Sequence, residues 1–429
     1  MSRAVCINPP GMPGTTANRE GAGGMGNVYP KAGAFLYPPH TLAAAAGALR
    51  EGGTKVIARD CVLEGDRIPE AVAWAAAQQP DYLVVQVSWA TRDADTAFLR
   101  EARAALPGAA VVAVGASVPM MEGHLREVPG IAWLYGEPER LSAGLFVALG
   151  TDPLKLQGPL TPAALPSTDA PGERWLEGLP HPAWNLFSWR GYGMLTIVGS
   201  KGCDQSCSYC PYVVAQGRKF RPRPVHEVAD ELVQLATKFK PPRVVFRDPV
   251  FAHDRGRVLD LCREIGRRGI RVAWECESRA DDLDAEMVEL MARAGCTTVK
   301  LGLESADPDV LVAVRRVRDA ACAEIYRRRA LAAAAACRQH GIACRVFAMT
   351  GLAGETEKSI DSTIGFIHEM QPSALTVKVV DWYPGTRMER QADGATAELR
   401  ARRLNESWTP APPPAKPRLL ARVKRKVLG

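Results

Sequence analysis

Short apolar runs alternate with longer stretches whose apolar residues recur every three to four positions along most of the 429 residues. The short runs have strand length and the longer ones read as amphipathic helices, the pattern of parallel α/β architecture. In the first block, strands are expected at Ala4–Asn8, Lys55–Arg59, Tyr82–Ser88, Ala110–Val114 and Ile131–Leu134. Helices are expected between them at Leu42–Glu51, Pro69–Gln78 and Asp93–Ala105. Five strands with crossovers predict a doubly wound, Rossmann- or flavodoxin-like domain over residues 1–150. Ligands of such sheets bind outside the carboxyl ends of the strands, which here carry Pro9, Pro10, Ser88, Gly115, Ala116, Ser117, Gly136 and Glu137.

A second block repeats the alternation. Its strand candidates are Met194–Ser200, Arg243–Arg247, Arg271–Glu275, Thr298–Leu303, Arg345–Thr350 and Leu375–Val380, separated by helical stretches such as Leu283–Ala294 and Thr356–Glu369. Six βα units over residues 191–390 suit a partial (β/α)6 barrel, whose chemistry sits on the loops after the strands. Those loops begin at Lys201, Asp248, Glu277, Glu304, Gly351 and Asp381, so polar residues and glycines collect at one edge. Residues 151–190, rich in proline and without periodicity, read as a linker, and residues 391–429 as a short extension ending in a tail.

Composition narrows the class. The length exceeds what one core usually fills, and the 47% hydrophobic content is ordinary for globular domains. No run approaches the roughly 20 apolar residues of a membrane span, and Met1–Pro10 offers no signal-peptide core, so a cytoplasmic protein is expected. Of eleven cysteines, eight are scattered and read as small buried residues of a reducing compartment. Of the net charge of +7, six units fall on Lys416, Arg418, Arg422, Lys424, Arg425 and Lys426. A solvated end explains that tail better than a membrane or nucleic-acid contact.

The remaining three cysteines, Cys203, Cys207 and Cys210, lie within eight residues on the loop after a strand. A structural zinc site closes with four ligands, yet the nearest histidines, His181 and His226, stand 22 and 16 residues from Cys203 and Cys210. Three soft thiolates fit a [4Fe–4S] cluster with one iron open to substrate.

CxxxCxxC with Tyr209 before its last cysteine resembles the radical S-adenosylmethionine (SAM) superfamily. The resemblance implies that Cys203, Cys207 and Cys210 hold the cluster, and that SAM chelates the fourth iron. One electron would then cleave SAM to methionine and a 5′-deoxyadenosyl radical. Position by position it adds Arg247 and Asp248, with an altered motif, then Glu277 and Arg279 in "WECESRAD", Glu304 in "LGLESAD", and Gly351 and Gly354 in "TGLAGET" as SAM contacts. The segments "FLYPPHTLAAAAGALREGG", "PDYLVVQVSWAT", "VVAVGASVP" and "GLPHPAWNLF" resemble cobalamin-dependent members, and this likeness spans about residues 3–390. The histidine of a DxHxxG motif would coordinate cobalt from below, but Asp60 to Gly65 carries Val62 in its place. Cobalamin without a histidine lower ligand is the expectation, with a sheet that has lost the cofactor as the alternative.

The resemblance implies radical methylation of an unactivated carbon, or less often phosphorus, of a small molecule, with an electron donor such as flavodoxin or ferredoxin. Cyclisation, ring contraction or rearrangement with the same cofactors is the alternative. A tRNA methylthiotransferase is disfavoured, because the N-terminal domain has only Cys6 and Cys61 and no second cysteine triad. A non-catalytic protein would need a vestigial cluster. The glycine-rich segment Gly11–Gly33 would lie over a cofactor or substrate, or form a mobile surface loop.

Overall fold

A computed structural model describes residues 2–30, 35–141, 157–160, 176–388 and 394–409. Contacts divide the chain into two units, one of Met1–Gln205, Cys210–Pro249 and Tyr383–Thr386, the other of Ser206–Tyr209, Val250–Trp382 and Arg387–Gly429.

The first unit is built on a parallel sheet of β1 (Arg3–Asn8), β2 (Lys55–Asp60), β3 (Tyr82–Gln86), β4 (Ala110–Val114), β5 (Ala132–Leu134) and β6 (Gly158–Leu160). Its order is β2-β1-β3-β4-β5-β6, so the first five strands follow the flavodoxin-like winding and the strand order reverses between β1 and β3. Every residue of β3 and β4 is buried, as expected when helices cover both faces of a parallel sheet. Those helices are α1 (His40–Glu51), α2 (Ile68–Ala77), α3 (Arg92–Ala105) and α4 (Val118–Arg126). Ile7, Val85, Phe98, Val111 and Met121 belong to one apolar core.

The segment expected to be a bare linker contributes β6, pairing in parallel with β5, and the Gly158 amide donates to Ile131 O. Three residues at a sheet edge are too short to show periodicity. Further on, Trp184 is fully buried and the Ala183 amide donates to Ala43 O. Part of Gly11–Gly33 is regular too, since Thr15–Asn18 and Asn27–Pro30 pair antiparallel. The first unit also holds β7 (Leu195–Ile197) and β8 (Val244–Phe246), paired in parallel, and the helix α5 (Val225–Gln234).

The second unit carries β9 (Trp274–Arg279), β10 (Cys296–Glu304), β11 (Ala343–Thr350) and β12 (Ala374–Val379), all parallel and paired in that order. Its helices are α6 (Arg255–Arg267), α7 (Ala285–Arg293), α8 (Ala320–Gln339), α9 (Glu357–Met370) and α10 (Gly394–Glu406). Asp254, Asp284, Asp319 and Thr356 cap the starts of α6 to α9 through their side chains, so these starts are written in the sequence.

All six strands expected in the second block form, with one displacement: β9 begins at Trp274 rather than Arg271. Burial alternates at Trp274, Cys276 and Ser278, so pairing follows that face and carries the strand on to Arg279. Glu277 and Arg279 therefore end a strand instead of opening a loop. The helix α10 was not foreseen; Thr350 Oγ1 donates to Ala397 O at 2.9 Å, and Arg400 reaches Glu355 and Glu357. The basic tail lies outside the described residues. Among the described residues no helix is long and apolar enough to cross a membrane.

Candidate cofactor-binding sites

At the carboxyl end of β1, Asn8 donates to Asp60 Oδ1 at 2.8 Å, and the Arg19 guanidinium donates to Asn8 Oδ1, Pro9 O and Pro10 O. Arg19 also pairs with Asp95 at 2.6 Å, both side chains essentially without solvent. Asp95 in turn accepts from the Ser88 amide and from Thr91 Oγ1. One buried ion pair thus fixes the ends of β1 and β3, where the winding reverses. Asp60 caps the short turn Cys61–Glu64 that carries Val62, and Tyr192 donates its hydroxyl to the same carboxylate. Burial raises the Asp60 carboxyl above its ordinary value, while the bonds from Tyr192 and Asn8 oppose the shift.

A cavity of about 310 Å³ opens in this unit. Ala116, Gly136, Glu137 and Arg247 line it, as do Glu20, His40, Glu139, Lys201 and Arg221, which the sequence reading did not single out. Four of its charges are paired, Lys201 with Glu139 at 2.7 Å and Arg221 with Glu137 at 2.6 Å. His40 Nδ1 lies 3.0 Å from Thr196 Oγ1, and burial lowers its pKa. Small residues are required at the cavity and just behind it. A Cβ on Gly23, which has φ +69°, would fall 2.1 Å from the Tyr212 ring, and one on Gly115 would fall 2.3 Å from Val87 O. Ser117 Oγ donates to Gly24 O at 2.5 Å. Val62, Ser88, Pro9, Pro10, Gly115 and Ser117 do not line the cavity.

The cysteine loop leaves β7 under the control of Asp248. This buried carboxylate accepts from the Gly199 amide at 2.7 Å and Ser200 Oγ at 2.6 Å. Gly202, at φ +75°, leaves no room for a Cβ against Lys219 O, and the Cys203 amide donates to Gly217 O at 3.1 Å. Arg247, next to Asp248, donates to Glu20 O and stacks on the Tyr37 ring with 4.1 Å to the centroid. Cys203 and Cys207 are buried, Cys210 is half-buried, and none of the eleven cysteines is in a disulfide. Among the described residues no three His, Cys, Asp or Glu side chains converge on one ion-sized point. A cluster does not require that, because its thiolates bind different irons around a polynuclear core.

In the second unit, the Ser208 amide donates to Val314 O and so ties Cys207 and Tyr209 to the chain after β10. Arg279 forks onto Asp281, both N···O distances 3.0 Å, and its Nη1 stands 4.0 Å from Cys207 Sγ. Arg316 reaches the same sulfur at 3.8 Å and the Tyr209 hydroxyl at 3.4 Å, and donates to Gly302 O. The Tyr326 ring underlies both guanidiniums, with centroids 5.7 and 5.6 Å away. Glu304 closes β10 at φ +66°, beside a register shift after Gly302. Such strain in a residue other than glycine persists only where the surroundings enforce it, often at a functional site. Burial raises the Glu304 carboxyl, while Arg316, Lys378 and Arg279 pull it down. Glu277 and Glu275 share Lys300, at 3.5 and 3.6 Å.

Residues 197–367 match the Radical SAM superfamily. They form a radical SAM domain. The chain has the fold of solved cobalamin-dependent radical SAM enzymes. The radical SAM methyltransferase TsrM from Kitasatospora setae, with cobalamin and a [4Fe–4S] cluster bound, aligns at a TM-score of 0.69 and 20% identity over 90% of this chain and 77% of its own. The cobalamin-dependent enzyme OxsB, with aqua-cobalamin and SAM bound, aligns at 0.66 and 16% identity over 95% of this chain and 55% of its own. An uncharacterized methyltransferase from Pyrococcus horikoshii is 23% identical over 218 residues, 50% of this chain and 46% of the relative, so the match spans less than half of that protein.

Within the radical SAM domain, Tyr209, Arg279 and Glu304 gather with Cys207 around Arg316. Glu277 is held by Lys300. Gly351 and Gly354 sit on the loop after β11, where the Gly351 amide donates to Glu355, and among the described residues no hydrogen bond links them to Cys207. Arg316 went unnoticed because an arginine in an Arg-rich stretch, "VRRVRD", carries no spacing that separates it from its neighbours. His40 stood in an alanine-rich helix start and offered no motif either.

Proposed function

We propose that this protein is a cobalamin-dependent radical SAM enzyme that methylates an unactivated carbon, or a phosphorus, of a small molecule. The observation that carries the reading is the presence in one chain of a three-thiol loop in a radical SAM domain and a glycine-lined cavity at the carboxyl end of a flavodoxin-order sheet. The methyltransferase names of TsrM and the Pyrococcus relative favour methyl transfer over rearrangement.

The residues present suit both groups. Three thiols outside any disulfide, two of them buried, are a soft donor set for iron, and two guanidiniums beside Cys207 suit an anionic cluster. In the first unit Ala116, Gly136, Gly23 and Gly24 leave backbone open to a flat ring, with Glu137 beside them. A cavity of about 310 Å³ is at the lower end for ligand sites, and a whole corrinoid needs more.

When bound, the cluster supplies the electron that cleaves SAM and the cobalamin supplies the methyl group. Cys203, Cys207 and Cys210 hold the cluster, and Asp248 fixes the turn that presents Cys203. Tyr209, Arg279 and Glu304 bind SAM beside Cys207, with Glu277, Arg247, Gly351 and Gly354 completing the SAM contacts. Pro9, Pro10, Ser88, Gly115 and Ser117 shape the corrin site from beneath its lining. Val62, standing where a DxHxxG motif has its histidine, would offer no side-chain ligand to cobalt. The electron comes from a donor such as flavodoxin or ferredoxin, and eleven cysteines outside any disulfide suit a cytoplasmic setting.

Anaerobic purification with cobalamin supplied tests the reading. Iron–sulfur and corrinoid absorbance, and 5′-deoxyadenosine on adding SAM and reductant, are expected, with a substrate gaining the mass of one methyl group. A product of unchanged methyl count would instead favour rearrangement, and a protein that takes up no iron would overturn the assignment.

A further inference from the structure

Buried arginines are almost always matched by an acid, because an unmatched charge in low dielectric is costly. Arg279 obeys this, forking onto Asp281. Arg316 does not. It is 9% exposed and touches no carboxylate among the described residues, the nearby Glu304 acting on it only through space. Its Nη2 is taken by Gly302 O, its Nε finds no hydrogen-bond partner, and Tyr326 covers it from one side. The group left for its Nη1 is Cys207 Sγ at 3.8 Å, with the neutral Tyr209 hydroxyl beside it. The arrangement is rigid, since Gly302 O accepts from Arg316 and from the Tyr326 hydroxyl.

We propose that Arg316 is a positioning residue for the cluster, donating an N–H···S hydrogen bond to Cys207 Sγ and raising the reduction potential of the cluster that this thiolate ligates. The inference rests on the assignment of Cys207 as a cluster ligand. The couple concerned takes up one electron from an external donor, with no bond made or broken in the protein. Reduction adds one negative charge to the cluster and its thiolates. A fixed cation and a hydrogen bond at a ligand sulfur stabilise that added charge, which is how outer partners tune iron–sulfur potentials. Arg279, already neutralised by Asp281 and 4.0 Å from the sulfur, contributes less.

The test is a spectroelectrochemical titration of anaerobically reconstituted full-length protein, without SAM and again with SAM, for wild type, Arg316→Gln and Arg316→Lys. Iron and sulfide content and far-UV circular dichroism are measured on each sample. Arg316→Gln is expected to lower the reduction equilibrium constant about tenfold without SAM, which is ~59 mV more negative for a one-electron couple. Arg316→Lys, which keeps the charge and loses the fork, is expected to fall between. Because Arg316→Gln also releases Gly302 O and risks misfolding, Arg316→Lys alone suffices to decide.

Wild-type potentials in a variant with full iron content would overturn the proposal. So would a potential that departs from wild type only when SAM is present, which would make Arg316 a SAM-carboxylate contact. Loss of iron from natively folded Arg316→Lys would make it an assembly residue and overturn the proposal too. If wild-type protein itself holds no iron, the cluster assignment fails first, an outcome distinct from all of these.

Discussion

At the carboxyl edge of the N-terminal sheet the cations Arg19, Lys201 and Arg221 each sit in a closed ion pair, whereas beside Cys207 the buried Arg316 touches no acid. Arg19 with Asp95, Lys201 with Glu139 and Arg221 with Glu137 each satisfy the other within 2.7 Å. Around Cys207, Arg316 touches no acid and feels Glu304 only through space, and Glu304 is held at a positive φ. The first arrangement needs no ligand charge to be stable, and its glycines and Ala116 select by shape. The second is incomplete until an anion arrives. A neutral-walled cradle suits a large ring held by backbone, and an unmatched guanidinium suits a thiolate-bound cluster, so the two edges are prepared for different partners.

Breaking the second region has the largest effect. Cys207→Ala should abolish iron–sulfur absorbance and reduce SAM cleavage to background while far-UV circular dichroism stays unchanged. Next comes the frame of the first region. Arg19→Met leaves Asp95 buried without its partner and frees the Pro9 and Pro10 carbonyls, which should cost ~3–5 kcal/mol in denaturant unfolding. If the loss is under about 1 kcal/mol, the claim that closed pairs hold this edge fails.

Gly115→Ala places a methyl group against Val87 O, and about 1–3 kcal/mol of destabilisation is expected, with a lower cobalt content after purification with cobalamin. The smallest effect sharpens the second region again. Burial, reinforced by the neighbouring Asp281 charge, pushes the Asp282 carboxyl up to about 6. The unfolded chain holds that proton less tightly, at about 3.9, so the ionised carboxyl costs stability above pH ~6 and costs nothing below pH ~4. Asp282→Asn should therefore raise the thermal midpoint at pH 8 by a gain on the order of 1–2 kcal/mol and leave it unchanged at pH 4.

Much of this was legible beforehand, and the misses share a physical cause. Fully apolar β3 and β4 and the capped helices α6 to α9 announce themselves, because burial on both faces and first-turn hydrogen bonds are local constraints. CxxxCxxC is local too. Arg316, His40, Lys300 and Arg19 matter through partners far along the chain, as with Arg19 and Asp95, 76 residues apart, and no local pattern records that. The strand β6 was lost in a proline-rich stretch because three residues cannot display a period. The displaced start of β9 reflects pairing with β10, which places Glu277 and Arg279 at a strand end where their side chains are fixed rather than on a loop.

The central claim is that the two edges serve two different cofactors, and metal counting on one variant tests it most directly. Wild-type protein and the variant with Cys203, Cys207 and Cys210 all changed to alanine are purified anaerobically with cobalamin supplied, and iron and cobalt are measured per chain. Wild type should hold four irons and one cobalt per chain on the order expected for one [4Fe–4S] cluster and one corrinoid, and the variant should lose the iron while keeping the cobalt. A wild-type protein with iron but no cobalt, or a variant that loses both together, would contradict the account.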